Sequence, residues 1–102
     1  MIKINKAGGN VRIILPETFE VKAVAEFRTT VLDLLAKDEN NFIIDFSQCQ
    51  FIDSTGLGAL VSVYKRCVEK GGTLSLSALN HPKVATIFHL TRLDTIFTIR
   101  AE

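Results

Sequence analysis

The 102 residues carry twelve basic and eleven acidic side chains, a net charge of +1, with 47% apolar and 23% charged residues. This length suits one domain, spanning 1–102, that can bury roughly two-thirds of its extended surface, and the composition excludes a disordered chain. The near-neutral charge gives no field of one sign to draw nucleic acid or an anionic membrane, and no run approaches the about 18 apolar residues of a membrane span.

In chain order, Ile2 to Ile4 and the β-branched run VRIIL, Val11 to Leu15, read as two strands. AGGN between them suits a turn, and Pro16 closes the second strand. From about Glu20 to Lys37 the period becomes helical, with Val24, Phe27, Val31, Leu34 and Leu35 on one face. FIIDF, residues 42–46, is nearly all apolar and suits a central strand. Asp45 within it is an acid among apolar neighbours and reads as a residue at a strand edge.

A second helix is expected from Thr55 to Lys70. Its stripe is Leu57, Leu60, Val61, Tyr64 and Val68, and Gly71 and Gly72 stop it. Leu74, Leu76 and Ala78 alternate with Ser75 and Ser77, a half-buried strand. Asn80-His81-Pro82 opens a short helix carrying Val84, Ile87 and Phe88, and Ile96 to Ile99 suits a last strand. The order β-β-α-β-α-β-α-β implies an α/β fold whose sheet is parallel beyond the first hairpin.

Cys49 and Cys67 form neither a CxxC nor a zinc spacing. The N-terminal MIKINKAGG lacks the apolar run of a secretory leader, so reduced thiols in a cytoplasmic protein are expected. Cys67, near the edge of the helical stripe, reads as core packing. His81 and His89 are eight apart with no nearby cysteine, so no metal site is expected. His89 reads as a surface residue, and Lys65 and Arg66 as a solvated face.

The chemistry-bearing stretch is FIDSTGLGALV, residues 51–61. It is not a GxSxG elbow, because Ile52 stands two before Ser54. No Gly-Lys-Ser/Thr follows, and Gly56-Leu57-Gly58 does not continue as GxGxxG, so no nucleotide cofactor is expected. A serine hydrolase pairing Ser54 with His81 or His89 is a minor alternative; no catalytic residue is assigned. The plain reading of Ser54 is a helix N-cap, worth about 1 kcal/mol. Three features weigh against it. Asp53 caps equally well. Gly56 and Gly58 each cost roughly 1 kcal/mol against Ala in a first turn. Glycines there also leave a low, bare surface that a partner's backbone can approach.

FIDSTGLGAL resembles the phosphorylation motif of the anti-sigma-factor antagonists of the STAS domain family: Asp-Ser-Ser/Thr-Gly-Leu-Gly after an apolar strand. FIIDF before it, and YKRCVEKGGTLSLSAL and HPKVATIFHLTRLDTIFTI after it, resemble the family's remaining elements in order. The resemblance implies a single STAS-type domain, a mixed sheet of about four to five strands with helices packed mainly on one side. It implies a regulator without catalytic activity. The resemblance implies that Ser54 is the position phosphorylated by a serine kinase that is also the anti-sigma factor. It further implies that the unphosphorylated form binds that kinase and frees its target, and that a PP2C-type phosphatase restores it. Asp53, Thr55, Gly56, Leu57, Gly58 and Glu17 are the implied partner-binding positions. The chain departs from the family in two places. Pro16-Glu17-Thr18-Phe19 stands where Gly-Glu-Leu/Ile-Asp is common, in a loop that commonly lies near the acceptor. Leu90-Thr91-Arg92-Leu93 stands where Leu-Thr-Gly-Leu is common. The alternative function is a non-switching STAS subunit of a transport or other multiprotein complex.

Overall fold

The computed structural model describes residues 2–100. β1 (Lys3–Ala7) and β2 (Asn10–Ile14) form an antiparallel hairpin. Its two-residue turn is Gly8-Gly9, at φ 59° and 85°, a conformation that glycine adopts at no steric cost. A short strand β3 (Thr18–Phe19) leads into α1 (Val21–Ala36). β4 (Asn41–Asp45) is followed by a second short strand, β5 (Phe51–Ile52), and by α2 (Ser54–Glu69). β6 (Thr73–Ser77), α3 (Pro82–Leu90), a 3-10 turn at Leu93–Thr95 and β7 (Thr98–Ile99) complete the chain.

The main sheet has the order β1-β2-β4-β6-β7, and all its pairings after the first hairpin are parallel. This is the mixed five-stranded sheet with helices on one side that the sequence predicts. The expected last strand, Ile96 to Ile99, is shorter, with the 3-10 turn before it, and the missed strands are β3 and β5, which pair with each other in parallel. Two residues are too few to show a period, so nothing in the pattern could announce them.

Side chains alternate across the strands and divide the sheet into two faces. Val11, Ile13, Leu15, Phe42, Ile44, Phe46, Leu74 and Leu76 join the core beneath the helices. Phe19 meets Phe27 edge to face at 5.3 Å, and Phe46 meets Phe88 at 5.6 Å. All five predicted core residues of α1 are buried.

In α2 the buried line differs from the predicted stripe. Gly56, Ala59, Leu60, Val63 and Cys67 are buried, Leu57, Val61 and Tyr64 flank the core, and Val68 is 50% exposed. Small residues spaced i, i+3, i+7 and i+11 let α2 settle closely on its neighbours, so the deepest line is also the least bulky. Cys67 is therefore a core residue, and burial pushes its thiol up to about 11.

Asp45 is not at a sheet edge. It lies on the central strand β4, on the face away from the helices. Its Oδ2 accepts from Arg12 Nη1 at 3.0 Å, and its Oδ1 accepts from the Ser47 amide at 2.7 Å. Arg12 Nη1 also donates to Ser77 Oγ at 3.1 Å, so one guanidinium ties β2 to β4 and β6. Burial works to raise the Asp45 pKa; the hydrogen bonds from Ser47 and Arg12, with the Arg12 charge, outweigh it and hold the carboxyl below its usual value.

α3 ends at Leu90 with Thr91 as its C-cap, and Arg92 follows at φ 62°, ψ 16°, in the left-handed region. That is the position where a helix commonly takes glycine, and where the family pattern has one. Arg92→Gly relieves this strain and is expected to stabilise the domain by about 0.5–1 kcal/mol. Calorimetry then shows a melting temperature higher by roughly 2–8 °C; an unchanged or lower value contradicts it.

The Asp45 network predicts a pH dependence. A carboxyl whose folded pKa is depressed contributes stability above its unfolded pKa and loses it as pH falls through the folded value. Asp45→Asn is therefore less stable than wild type near neutrality, and the gap starts to narrow below about pH 4 and closes as pH falls through the depressed folded pKa. Urea midpoints at pH 7 and pH 2.5 measure it; a gap of equal size at both pH values refutes the linkage.

Candidate functional site

β2, β4 and β6 run parallel, so their carboxyl ends lie together, and α1 and α2 both begin at that end. Three connections meet there: residues 15–20, 46–53 and 78–81. In open α/β sheets this is where binding residues gather.

Two hydrogen bonds lock the first connection to the second. The Glu17 carbonyl accepts from the amides of Gln50 at 2.8 Å and Phe51 at 3.1 Å. The β3–β5 register then sets Thr18 beside Phe51 and Phe19 beside Ile52. Glu17 thus lies against the strand that delivers the motif, with its side chain exposed. The sequence of this loop departs from the family pattern, but its place beside the motif is the expected one.

Asp53 is the N-cap of α2. Its backbone is extended, at φ −110° and ψ −177°, and its Oδ1 accepts from the Gly56 amide at 3.0 Å. Ser54 is consequently the first helical residue and not the cap. It is exposed, as is Thr55, and among the described residues its hydroxyl takes no hydrogen-bond partner. The Ser54 and Thr55 amides belong to the first turn, whose N–H groups have no acceptor within the helix.

The two glycines differ in kind. A Cβ on Gly56 would meet Ile52 Cγ1 at 2.9 Å, Phe19 Cδ2 at 2.9 Å and the Phe19 carbonyl oxygen at 3.0 Å. Gly56 is buried, so its lack of a side chain serves packing and not a bare surface. A Cβ on Gly58 would meet nothing within 4 Å, and Gly58 is exposed. Leu57 is half-buried and packs against the core.

Of the predicted positions, the structure brings Glu17, Asp53, Ser54, Thr55 and Gly58 to one end of the molecule and turns Gly56 inward. Sequence reading missed Phe51, which is 48% exposed three residues before Ser54. It stood in an apolar pair with Ile52; strand alternation sends Ile52 into the core and Phe51 out. His89 is exposed, with Nδ1 3.3 Å from Asp94 Oδ2, far along α3 from the motif. Among the described residues no three His, Cys, Asp or Glu side chains gather into a metal-holding group, and no helix is long and apolar enough to cross a membrane.

A small α/β domain that offers a free hydroxyl at the mouth of its second helix defines a recognisable class. Residues 2–102 match the profile of the STAS domain, and the chain belongs to that family. It is similar in structure to a Thermotoga maritima protein assigned as an anti-sigma factor antagonist, with 27% identity, a TM-score of 0.87, and 96% of this chain and 84% of that one covered. An anti-sigma factor antagonist of Mycobacterium paratuberculosis superposes with a TM-score of 0.86 at 20% identity, over 100% of this chain and 86% of that one. The phosphorylated form of the Bacillus cell-fate determinant SpoIIAA superposes with a TM-score of 0.79 at 18% identity, over 100% and 93%.

The glycine contrast is testable on stability alone. Gly58→Ala meets open space and gains helix propensity, so it is expected to stabilise by up to roughly 1 kcal/mol. Gly56→Ala gains the same propensity but overpacks against Phe19 and Ile52, a cost of about 1–3 kcal/mol, so its net effect is destabilising. Denaturant midpoints for the two variants move in opposite directions; movement in the same direction refutes the packing role of Gly56.

Proposed function

We propose that this domain is a phosphorylatable partner-switching regulator in the cytoplasm, with Ser54 as the acceptor and no catalytic activity of its own. The observation that carries the reading is the division of labour at the start of α2. Asp53 does the capping, and Ser54 is exposed with its hydroxyl unengaged. A serine that only capped the helix would accept a first-turn amide, Gly56 or Leu57, with its hydroxyl.

The unphosphorylated form binds a serine kinase that is also an anti-sigma factor, and so releases that factor's target. Asp53, Thr55, Leu57, Gly58 and Glu17 border the contact, and Gly56 sets the helix at its depth. Transfer of phosphate to Ser54 adds about −1.5 to −2 charge. The fold tolerates this, because the amides and dipole of a helix N-terminus favour an anion. The complex does not, because its interface has to desolvate the phosphate next to the Asp53 carboxylate. A PP2C-type phosphatase reaches the exposed ester and resets the domain. The similarity to SpoIIAA, whose phosphorylated form is known, supports the same reading.

Phosphate transferred by the serine kinase that acts on this protein is expected chiefly on Ser54, with Thr55 minor, as mass spectrometry of the product reads directly. Ser54→Ala is expected to bind that kinase constitutively, since Asp53 still caps. Ser54→Asp places an uncompensated charge in the interface, costing on the order of 3 kcal/mol, or about a hundredfold in affinity. Calorimetric titration with circular dichroism as the folding control measures both. Equal affinity for the two folded variants overturns the switch.

A further inference from the structure

The geometry points to Phe51 as the aromatic anchor of the partner interface, an inference that rests on the switch reading of Ser54. Its occupant is an apolar recess on the serine kinase, sized for one ring.

Four observations converge on this residue. Phe51 is 48% exposed, although the adjoining Ile52 is 2% exposed and locked into the core. Its backbone is fixed on both sides: its amide donates to the Glu17 carbonyl at 3.1 Å, and its carbonyl accepts from Cys49 Sγ at 3.4 Å. The β3–β5 register adds Thr18 as its neighbour. Finally, three residues of chain place its Cα no more than about 10 Å from that of Ser54. A standard interface of about 800 Å² per partner, centred on Ser54, reaches well past that distance. Val21, 68% exposed at the start of α1, shares this end of the sheet but carries no ring; Leu32, Val68 and Leu90 lie farther along their helices.

A ring on a fixed backbone loses little freedom when it is seated, because only two side-chain torsions remain to be ordered. Exposed aromatic residues with such pre-organisation are the common hot spots of interfaces. The anchor also sharpens the switch. Seating Phe51 in an apolar recess expels water from the surface around it, Ser54 included. A neutral hydroxyl tolerates that loss, whereas a phosphate dianion loses its hydration without a compensating partner. Phe51 thus couples apolar burial to the charge state of its neighbour.

The test titrates wild type, Phe51→Ala, Phe51→Tyr, Ser54→Ala and Ser54→Asp, without ATP, against the purified serine kinase that transfers phosphate to Ser54. Phe51→Ala is expected to lose roughly thirtyfold in affinity, the size of a hot-spot truncation. Phe51→Tyr keeps the ring but brings a hydroxyl into an apolar recess, and is expected to fall between wild type and Phe51→Ala. Circular dichroism and thermal melting check that each variant is folded. Phe51→Ala binding as wild type does, beside a normal Ser54 series, overturns the anchor and leaves the switch intact. Ser54→Asp binding as well as Ser54→Ala overturns the switch reading itself.

Discussion

The first turn of α2 sits where it does because Gly56 has no side chain. Its Cα lies against Phe19 and Ile52 so closely that a methyl group would stand 2.9 Å from each. Its amide is held by the Asp53 carboxylate at 3.0 Å. These two constraints fix the helix in depth and in rotation. Ser54 and Thr55 then project outward as a geometric consequence, since neither is needed to cap and neither can reach the core. Phe19 joins the same contact from β3, so the Pro16–Phe19 segment helps to set the position of Ser54. The Glu17 carbonyl closes the arrangement by holding Gln50 and Phe51.

The opposite face of the sheet shows a different economy. Ile43 is buried there outside the main core cluster, and Arg12, Asp45 and Ser77 form a hydrogen-bonded set across three strands. Such a set offers less net stabilisation than the same volume of packed hydrocarbon, because both charges lose water. Its value is in register. A one-residue slip of β2 against β4 would separate Arg12 from Asp45 and turn Ile13 out of the core. The parallel strands whose carboxyl ends build the site are therefore fixed by apolar packing on one face and by a charged pair on the other.

Much of this was legible in the sequence, and the failures have definite causes. The α1 stripe of Val24, Phe27, Val31, Leu34 and Leu35 stood out because large residues repeated at helical spacing on a helix with one buried face. In α2 the same rule misplaced Val68, because a stripe traced through the large residues Leu57, Leu60, Val61, Tyr64 and Val68 is rotated from the buried line, which runs through the smaller Gly56, Ala59, Val63 and Cys67 beside Leu60. Asp45 was misplaced because a carboxylate's partner one strand away leaves no mark on its own neighbours in sequence. The site was legible as a motif but not as geometry. The order Asp-Ser-Thr-Gly left open which side chain caps, and only the extended backbone of Asp53 decides it. Gly56 and Gly58 looked alike, and the atom above each separates them. Phe51 was hidden by its pairing with Ile52, since a two-residue strand gives alternation no room to be seen.

Along residues 51–58 the structural and the free positions interleave. Ile52, Asp53 and Gly56 hold the fold, while Phe51, Ser54, Thr55 and Gly58 face outward. This follows from a strand of period two running directly into a helix of period 3.6, each with one face buried. The consequence is that a charge added at Ser54 meets no residue of the core. On the proposed switch, the adjacent apolar and carboxylate groups decide what it costs a partner, and the helix N-terminus decides what it costs the domain. Those two costs have opposite signs at this one position. Moved one turn along α2, to Gly58 or beyond, the same charge would leave the favourable amides behind, and nothing would offset its effect on the fold.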